Sequence, residues 1–285
     1  MEYPQSKLNK IRVYKHRGHY DYQTIHSITD STLVSQVSFI TRDEDGDAIP
    51  LTMPLTAVLG SYGDGSNIPS ETEVSDAELE RIRQEQMKRG PMDLYLHGNA
   101  AALLYKAIRE SESGQVRVCI SSTKVDGFAL FPTPNGHSLN YRSATIHGTA
   151  SLVPDTDRRK KRYAMRLLTN HMYRGRWETT YPVLHSAVDK VKVIEVKILS
   201  ASAKVRTGNI GPFDPTTVTE EEVQKREEQG EGVWSGVVPV YEVLGGSVAS
   251  SVQGPGGDQR GLTAVEEWRD ERNRREKEYA ETVAQ

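Results

Sequence analysis

The hydrophobic period of the chain changes several times, and each change marks an element. Residues 33–40 (LVSQVSFI) alternate apolar and polar positions, DEDGDA makes an acidic turn, and residues 48–59 (AIPLTMPLTAVL) read as the returning strand of a hairpin. Turn-formers fill 60–75, after which Ser75 and Glu78 stand at capping-box spacing ahead of DAELERIRQEQMKRG, ended by Gly90-Pro91. The apolar face of that helix is thin, which predicts that the 60–90 block is an exposed insertion between strands. Residues 92–98 predict a strand and 99–110 (NAAALLYKAIRE) a short helix. The runs 115–123, 128–131 and 141–153 predict an antiparallel meander rich in β-formers. Asp155 is expected to cap a helix through DRRKKRYAMRLLTNHM, whose basic cluster reads as a solvated face rather than a binding patch. Residues 190–206 alternate Val/Ile with Lys/Glu, as a strand with one wet face should. A Pro/Thr/Glu-rich excursion over 211–231 leads to VWSGVVPVYEVLG, the last strand.

The pattern breaks at Gly245. GGSVASSVQGPGGDQRG has the composition of a flexible linker, and LTAVEEWRDERNRREKEYAETVAQ is a charged helix with many i,i+4 opposite pairs. The organisation predicted is one domain over 1–245, with insertions at 60–90 and 211–231, and a tethered arm over 246–285. The arm offers Leu262, Val265 and Trp268 for a single shallow contact.

Composition narrows the choice of function. The 285 residues carry 36 Lys+Arg against 39 Asp+Glu, a net charge of -3, so no bulk field draws the chain toward nucleic acid or an anionic membrane. The single cysteine, Cys119, excludes an internal disulfide framework or a multi-cysteine metal site and fits a reducing compartment. It lies in the strand-like VRVCISS and reads as a small buried hydrophobe. No stretch is apolar enough for a signal peptide or a membrane span, so a cytoplasmic protein is expected, with no nucleic-acid or membrane partner.

Neither GxGxxG opening a βαβ unit nor GxxxxGK[ST] is present, and no GxSxG elbow or HExxH occurs. The histidines are scattered, and no metal site is expected. The strand–HGN–helix passage over 92–104 is different, because a strand feeding a helix whose first turn has free N–H groups and small residues can cradle a phosphate. A plain strand–helix turn is the alternative there.

Taken together, RGHYD (17–21), LYLHGN (94–99), VDG (125–127), HSLNYRS (137–143), GRW (175–177), SAKVRTG (202–208) and WSGVVP (234–239) resemble the FMN-binding split-barrel family related to pyridoxamine 5′-phosphate oxidase. The branch most resembled is that of nitroimidazole-resistance-like flavin-nucleotide-binding proteins, from about residue 12 to 244. The resemblance implies a mainly β fold with peripheral helices, a six-stranded antiparallel split barrel, and a homodimer with FMN at the subunit interface. It implies an oxidoreductase passing hydride through FMN to or from a small organic substrate, with NAD(P)H as a reductant. Alternatives are a flavin- or haem-binding module without turnover and a pyridoxamine-phosphate-oxidase-like enzyme.

On this resemblance His97, Gly98, Asn99, Asn140, Tyr141, Arg142, Ser143, Lys204, Arg206 and Trp234 are candidate cofactor residues, and His137 the candidate proton donor. Arg142 offers a planar fork for a phosphate or the flavin pyrimidine edge; a surface ion pair is its alternative. Lys204 and Arg206, two apart, share one side of a strand and offer positive charge, or simply form a polar face. Trp234 and Trp177 are large enough to stack on a flavin, with core packing the alternative. The pattern departs where Asn135-Gly136 precede His137 and where Ala100 and Ala101 replace phosphate-holding side chains.

Overall fold

The strands, several of them separated by helices along the chain, join into one mainly antiparallel sheet. The computed structural model describes residues 1–62, 75–99, 102–211, 218–248 and 259–285. The strands are β1 (Gly18–His19), β2 (Ser35–Arg42), β3 (Ala48–Gly60), β4 (Asp93–His97), β5 (Gln115–Leu130), β6 (Ser138–Leu152), β7 (Val193–Arg206) and β8 (Gly236–Pro239). The helices are α1 (Tyr22–Ser31), α2 (Asp76–Arg89), α3 (Leu103–Glu110), α4 (Arg158–Met172), α5 (His185–Lys190), α6 (Glu220–Glu228) and α7 (Gln259–Val283). The strand order is β1-β7-β4-β3-β2-β5-β6, with β8 on β5. Strand β7 also pairs with β6, so the path of pairings that leaves β7 through β4 returns to it through β6. Gly148 is needed for that approach, since a Cβ there would stand 2.7 Å from the Lys197 carbonyl oxygen.

Two compact units share this sheet, and their division falls within β5, β6 and β7. The first comprises Met1–Thr123 and Ser143–Lys204, the second Lys124–Arg142 and Val205–Gln285.

In the first unit, the hairpin expected from residues 33–59 is β2 with β3, in register from Ser35↔Leu55 to Arg42↔Ala48. Helix α1 starts at Asp21, whose Oδ1 accepts from the Thr24 N–H at 2.8 Å; its period was hidden in a basic, aromatic stretch. Helix α2 has the expected Ser75 cap, 3.2 Å from the Glu78 N–H. It is not merely exposed, because Leu79, Arg83 and Met87 are buried. Arg83 completes the thin apolar face by entering with its counter-ions, 2.7 Å from Asp30 and 2.8 Å from Glu80. Met87 presents its carbonyl to the buried His26 ring at 2.8 Å. Residues 63–74 of the expected insertion lie outside the described residues.

Two further expectations need correction. Helix α4 is capped by Asp157, 2.9 Å from the Lys160 N–H, while Asp155 pairs with Lys161 and Lys192. Its basic residues are not simply solvated: Lys161 is fully buried and also donates to the Val188 carbonyl at 3.3 Å. Strand β7 lacks a continuous wet face, because Val193, Ile194, Glu195 and Val196 are all buried. A strand paired with β1, β4 and β6 has little room for water, and Glu195 enters it with Lys160 at 2.5 Å, Lys197 at 3.3 Å and the Tyr95 hydroxyl at 3.2 Å.

In the second unit, the C-terminal part of β5 pairs with β8 from Gly127↔Pro239 to Leu130↔Gly236. Helix α6 occupies part of the 211–231 excursion and is exposed along its length apart from the half-buried Val223. The described part of the arm, α7 onward, belongs to this unit and packs against β8.

Candidate functional site

The strand–HGN–helix passage keeps its predicted order, β4 ending at His97 and α3 beginning at Leu103. Strand β4 ends at His97, whose exposed ring lies 3.4 Å from the Lys192 carbonyl. The Gly98 N–H donates to the Tyr105 hydroxyl at 3.2 Å, and that hydroxyl donates to the Lys192 carbonyl at 3.1 Å. Tyr105 is fully buried, which pushes its phenol pKa up and keeps it a donor. The Asn99 carbonyl accepts from the Ala102 N–H at 2.9 Å, and α3 then begins with no side-chain cap. Its first turn therefore presents N–H groups and the positive end of the helix dipole to whatever lies before it. Ala100 and Ala101 lie outside the described residues.

The same unit holds a cationic feature that joins Lys204 to residues the sequence did not single out as site candidates, Tyr14 and Arg17. Tyr14 precedes a turn of 3-10 helix and adopts φ 53° and ψ 57°, a left-handed conformation that costs an L-residue about 1–2 kcal/mol. Its ring receives the Arg17 guanidinium, 4.4 Å from the centroid, and the Lys204 ammonium at 5.5 Å. The pairing of β1 with β7, with Gly18 opposite Lys204, brings the RGHYD segment beside SAKVRTG. Ser143 donates to the Lys204 carbonyl at 3.3 Å, so its hydroxyl serves the strand backbone.

In the second unit the HSLNYRS motif meets the chain's own C-terminal helix. Asn140 is fully buried; its amide donates to the carbonyls of Gly208 at 2.9 Å and Val283 at 3.3 Å, and its oxygen accepts from Arg206 at 2.6 Å. Arg142 lies 3.3 Å from Asp126 and 3.7 Å from Glu276, with its guanidinium 3.8 Å above the Tyr279 ring. Lys124, also buried, pairs with Glu276 and, at 3.3 Å, with Glu242, which Arg272 holds at 3.0 Å. Burial raises the Asp126 pKa against the pull of Arg142 and Lys124. Burial acts in the same sense on Glu242, but Lys124 and Arg272 outweigh it and hold that carboxyl below the usual range. Asp126 Oδ2, Arg142 Nε and Arg272 Nη1 are buried side-chain atoms without a hydrogen-bond partner among the described residues. The Arg142 fork thus faces a carboxylate pair and an aromatic ring of its own chain.

The remaining candidates are separate. Tyr141 is half-buried. His137 is exposed, its Nδ1 3.2 Å from the Thr133 carbonyl. Trp234 is 64% exposed and lies over Gly236, where a Cβ would meet the indole at 2.9 Å. Trp177 stacks beneath Arg162 at 5.8 Å. Cys119 is a free thiol in β5 with its pKa raised by burial, the opposite of an activated nucleophile. The structure joins Asn140 to Arg206, sets Arg142 apart among Asp126, Glu276 and Tyr279, and keeps His97, Gly98 and Asn99 at the end of β4. Lys204 and Arg206 have different partners, Tyr14 and Asn140. Sequence reasoning missed Tyr14 and Arg17, although RGHYD carried the signal, and missed Asp126, Glu276 and Tyr279. Among the described residues no group of three or more His, Cys, Asp and Glu can hold a metal ion, and no helix is long and apolar enough to cross a membrane.

Comparison with known proteins places these motifs in context. The model of the family described as pyridoxamine 5′-phosphate oxidase matches residues 21–205. Among solved structures, the flavocytochrome Anf3 from Azotobacter vinelandii is similar at 22% identity and a TM-score of 0.62, over 93% of this chain and 99% of that one. The FAD and heme binding protein from Mycobacterium smegmatis is similar at 19% identity and a TM-score of 0.57, over 86% and 97% of the respective chains. No curated protein matches the chain.

Proposed function

Because the chain belongs to the pyridoxamine 5′-phosphate oxidase family, we propose that it is a flavin-dependent oxidoreductase, with FMN the flavin and a small organic molecule the substrate. The family match over 21–205 carries this reading, and the uncapped start of α3 after His97-Gly98-Asn99 supports it locally. That turn fits the phosphate end of a flavin nucleotide, since backbone N–H groups and a helix dipole suit an anion whatever side chains stand nearby. Arg142 does not fit the same role in this structure, because Asp126, Glu276 and Tyr279 already surround its guanidinium. A bound flavin supplies hydride transfer, and the protein contributes position, hydrogen bonds and exclusion of water. Gly98 and Asn99 would hold the phosphate end at the start of that turn. The closed path of pairings through β7 and β6 supports a split barrel. A homodimer, reduction by NAD(P)H and a cytoplasmic setting complete the reading.

The absorbance spectrum of freshly purified protein, followed by anaerobic addition of NAD(P)H, tests it. Flavin bands that bleach on reduction and return with an acceptor are expected. A colourless protein that takes up neither FMN nor FAD sinks the proposal. A second reading, a redox protein carrying haem beside a flavin, is favoured by the two full-length structural likenesses, whose names describe a flavocytochrome and an FAD and heme binding protein. A Soret band in the same spectrum, absent under the first reading, distinguishes the two.

A further inference from the structure

Most of the buried cations of this protein have carboxylates beside them. Arg83 faces Asp30 and Glu80, Lys161 faces Asp155, Lys124 faces Glu276, and Arg272 faces Glu242. Arg17 and Lys204 break that pattern. Both are half-buried, both rest on the Tyr14 ring, and among the described residues no carboxylate pairs with either. Two like charges thus gather at one aromatic ring, 4.4 and 5.5 Å from its centroid, where the ring quadrupole attracts each. Tyr14 is left-handed, the only non-glycine residue with positive φ among those described. Strain that persists around unpaired charge is a reason to look for a ligand.

We infer that Tyr14, Arg17 and Lys204 form a binding site for an oxyanion, a phosphoryl or carboxylate group that bridges the two cations. The guanidinium offers two parallel N–H donors and the ammonium a rotatable one, a donor set matched to tetrahedral or planar oxygens. Pairing of β1 with β7 fixes the cations relative to each other, because Gly18 lies opposite Lys204 and Arg17 immediately precedes it. Lys15 and His16 share the same turn and add positive potential at its mouth. The site lies within the first unit and stands whether or not a flavin binds elsewhere.

Two sources can present such a group: a free small anion, or the phosphate of a nucleotide cofactor. The full chain titrated with inorganic phosphate and then pyrophosphate, by calorimetry at low ionic strength, should show saturable binding that weakens as salt is added. Arg17→Gln and Lys204→Gln should each weaken binding at least tenfold, Arg17→Lys less than Arg17→Gln, and Lys15→Gln less than twofold. Titration with FMN and with riboflavin identifies the source. If the two variants weaken FMN and not riboflavin, the site holds the cofactor phosphate; if phosphate binds equally well to flavin-loaded protein, it holds a separate anion. Circular dichroism and thermal melting confirm that each variant is folded. Absence of saturable phosphate, pyrophosphate and FMN binding in the wild type overturns the inference, as does equal binding by wild type and both folded Gln variants.

Discussion

Two cationic clusters, one in each unit, use positive charge in opposite ways. In the second, Arg142, Lys124 and Arg272 are interleaved with Asp126, Glu242 and Glu276, and α7 supplies Arg272, Glu276 and Tyr279 to the arrangement. In the first, Arg17 and Lys204 share an aromatic ring, and among the described residues no acid pairs with either. Motif residues therefore do not all serve one purpose. Arginine in HSLNYRS is tied into a closed ionic core, whereas lysine in SAKVRTG stands where an anion can reach it.

The sharpest way to break this contrast is Arg142→Ala. Removing one partner of a buried ion pair leaves Asp126, only 3% exposed at its side chain, without its cation, and should cost about 3–5 kcal/mol in urea denaturation. A loss below about 1 kcal/mol would show that the cluster does not hold the second unit together. Truncation after Leu244 should cost somewhat less, about 2–3 kcal/mol, since it strips Lys124 of Glu276 and Asn140 of the Val283 carbonyl. That outcome departs from the dispensable arm suggested by composition, and a melting curve identical to the full chain would restore the simpler view.

Protonation separates the units next. Burial lowers the pKa of His26 and of His171, both in the first unit, below the ordinary 6.5. The unfolded chain then binds more protons below that value, so the stability these rings contribute is present above about pH 6.5 and is lost as pH falls through the folded values. Hydrogen exchange at pH 7 and pH 5 should show greater opening at pH 5 around α1, α2 and α4. Equal opening at both values would mean that these rings are charged in the fold. The smallest effect expected is from Tyr14→Gly, which relieves left-handed strain but loosens the unfolded chain, for a net change under about 1 kcal/mol. Anion binding should nevertheless fall, because the surface that positions Arg17 and Lys204 is gone.

Much of the strand framework was legible because its periods are strong: residues 33–59 alternate and fold as β2 and β3. The helix beginning after Ser75 was legible from its cap, but its burial was not, since periodicity scores Arg83 as polar and cannot see Asp30 waiting for it. The same limit hid the docking of α7. Its three apolar residues promised little, whereas its contacts run through Glu276, Tyr279 and the Val283 carbonyl. At the candidate site, HGN reads correctly as a strand–helix junction because Gly98 and the small residues after it announce a turn. Arg142 and Lys204 look equally available in sequence; only the fold shows which one has acids around it.

The position of β7 has a consequence for biosynthesis. Strands β4 and β6 both pair with β7, yet β7 is made last of the three. Roughly 100 residues separate His97 from Val193, a stretch that takes on the order of 5–20 s to translate. The β4 margin waits through the whole interval, and once Leu152 is made the β6 margin joins it, each with unsatisfied N–H and C=O groups, the usual route to intermolecular strand addition. Emergence of Val193–Arg206 occupies both at once. Ribosome-bound chains stalled before this segment are the species for which chaperone protection matters most.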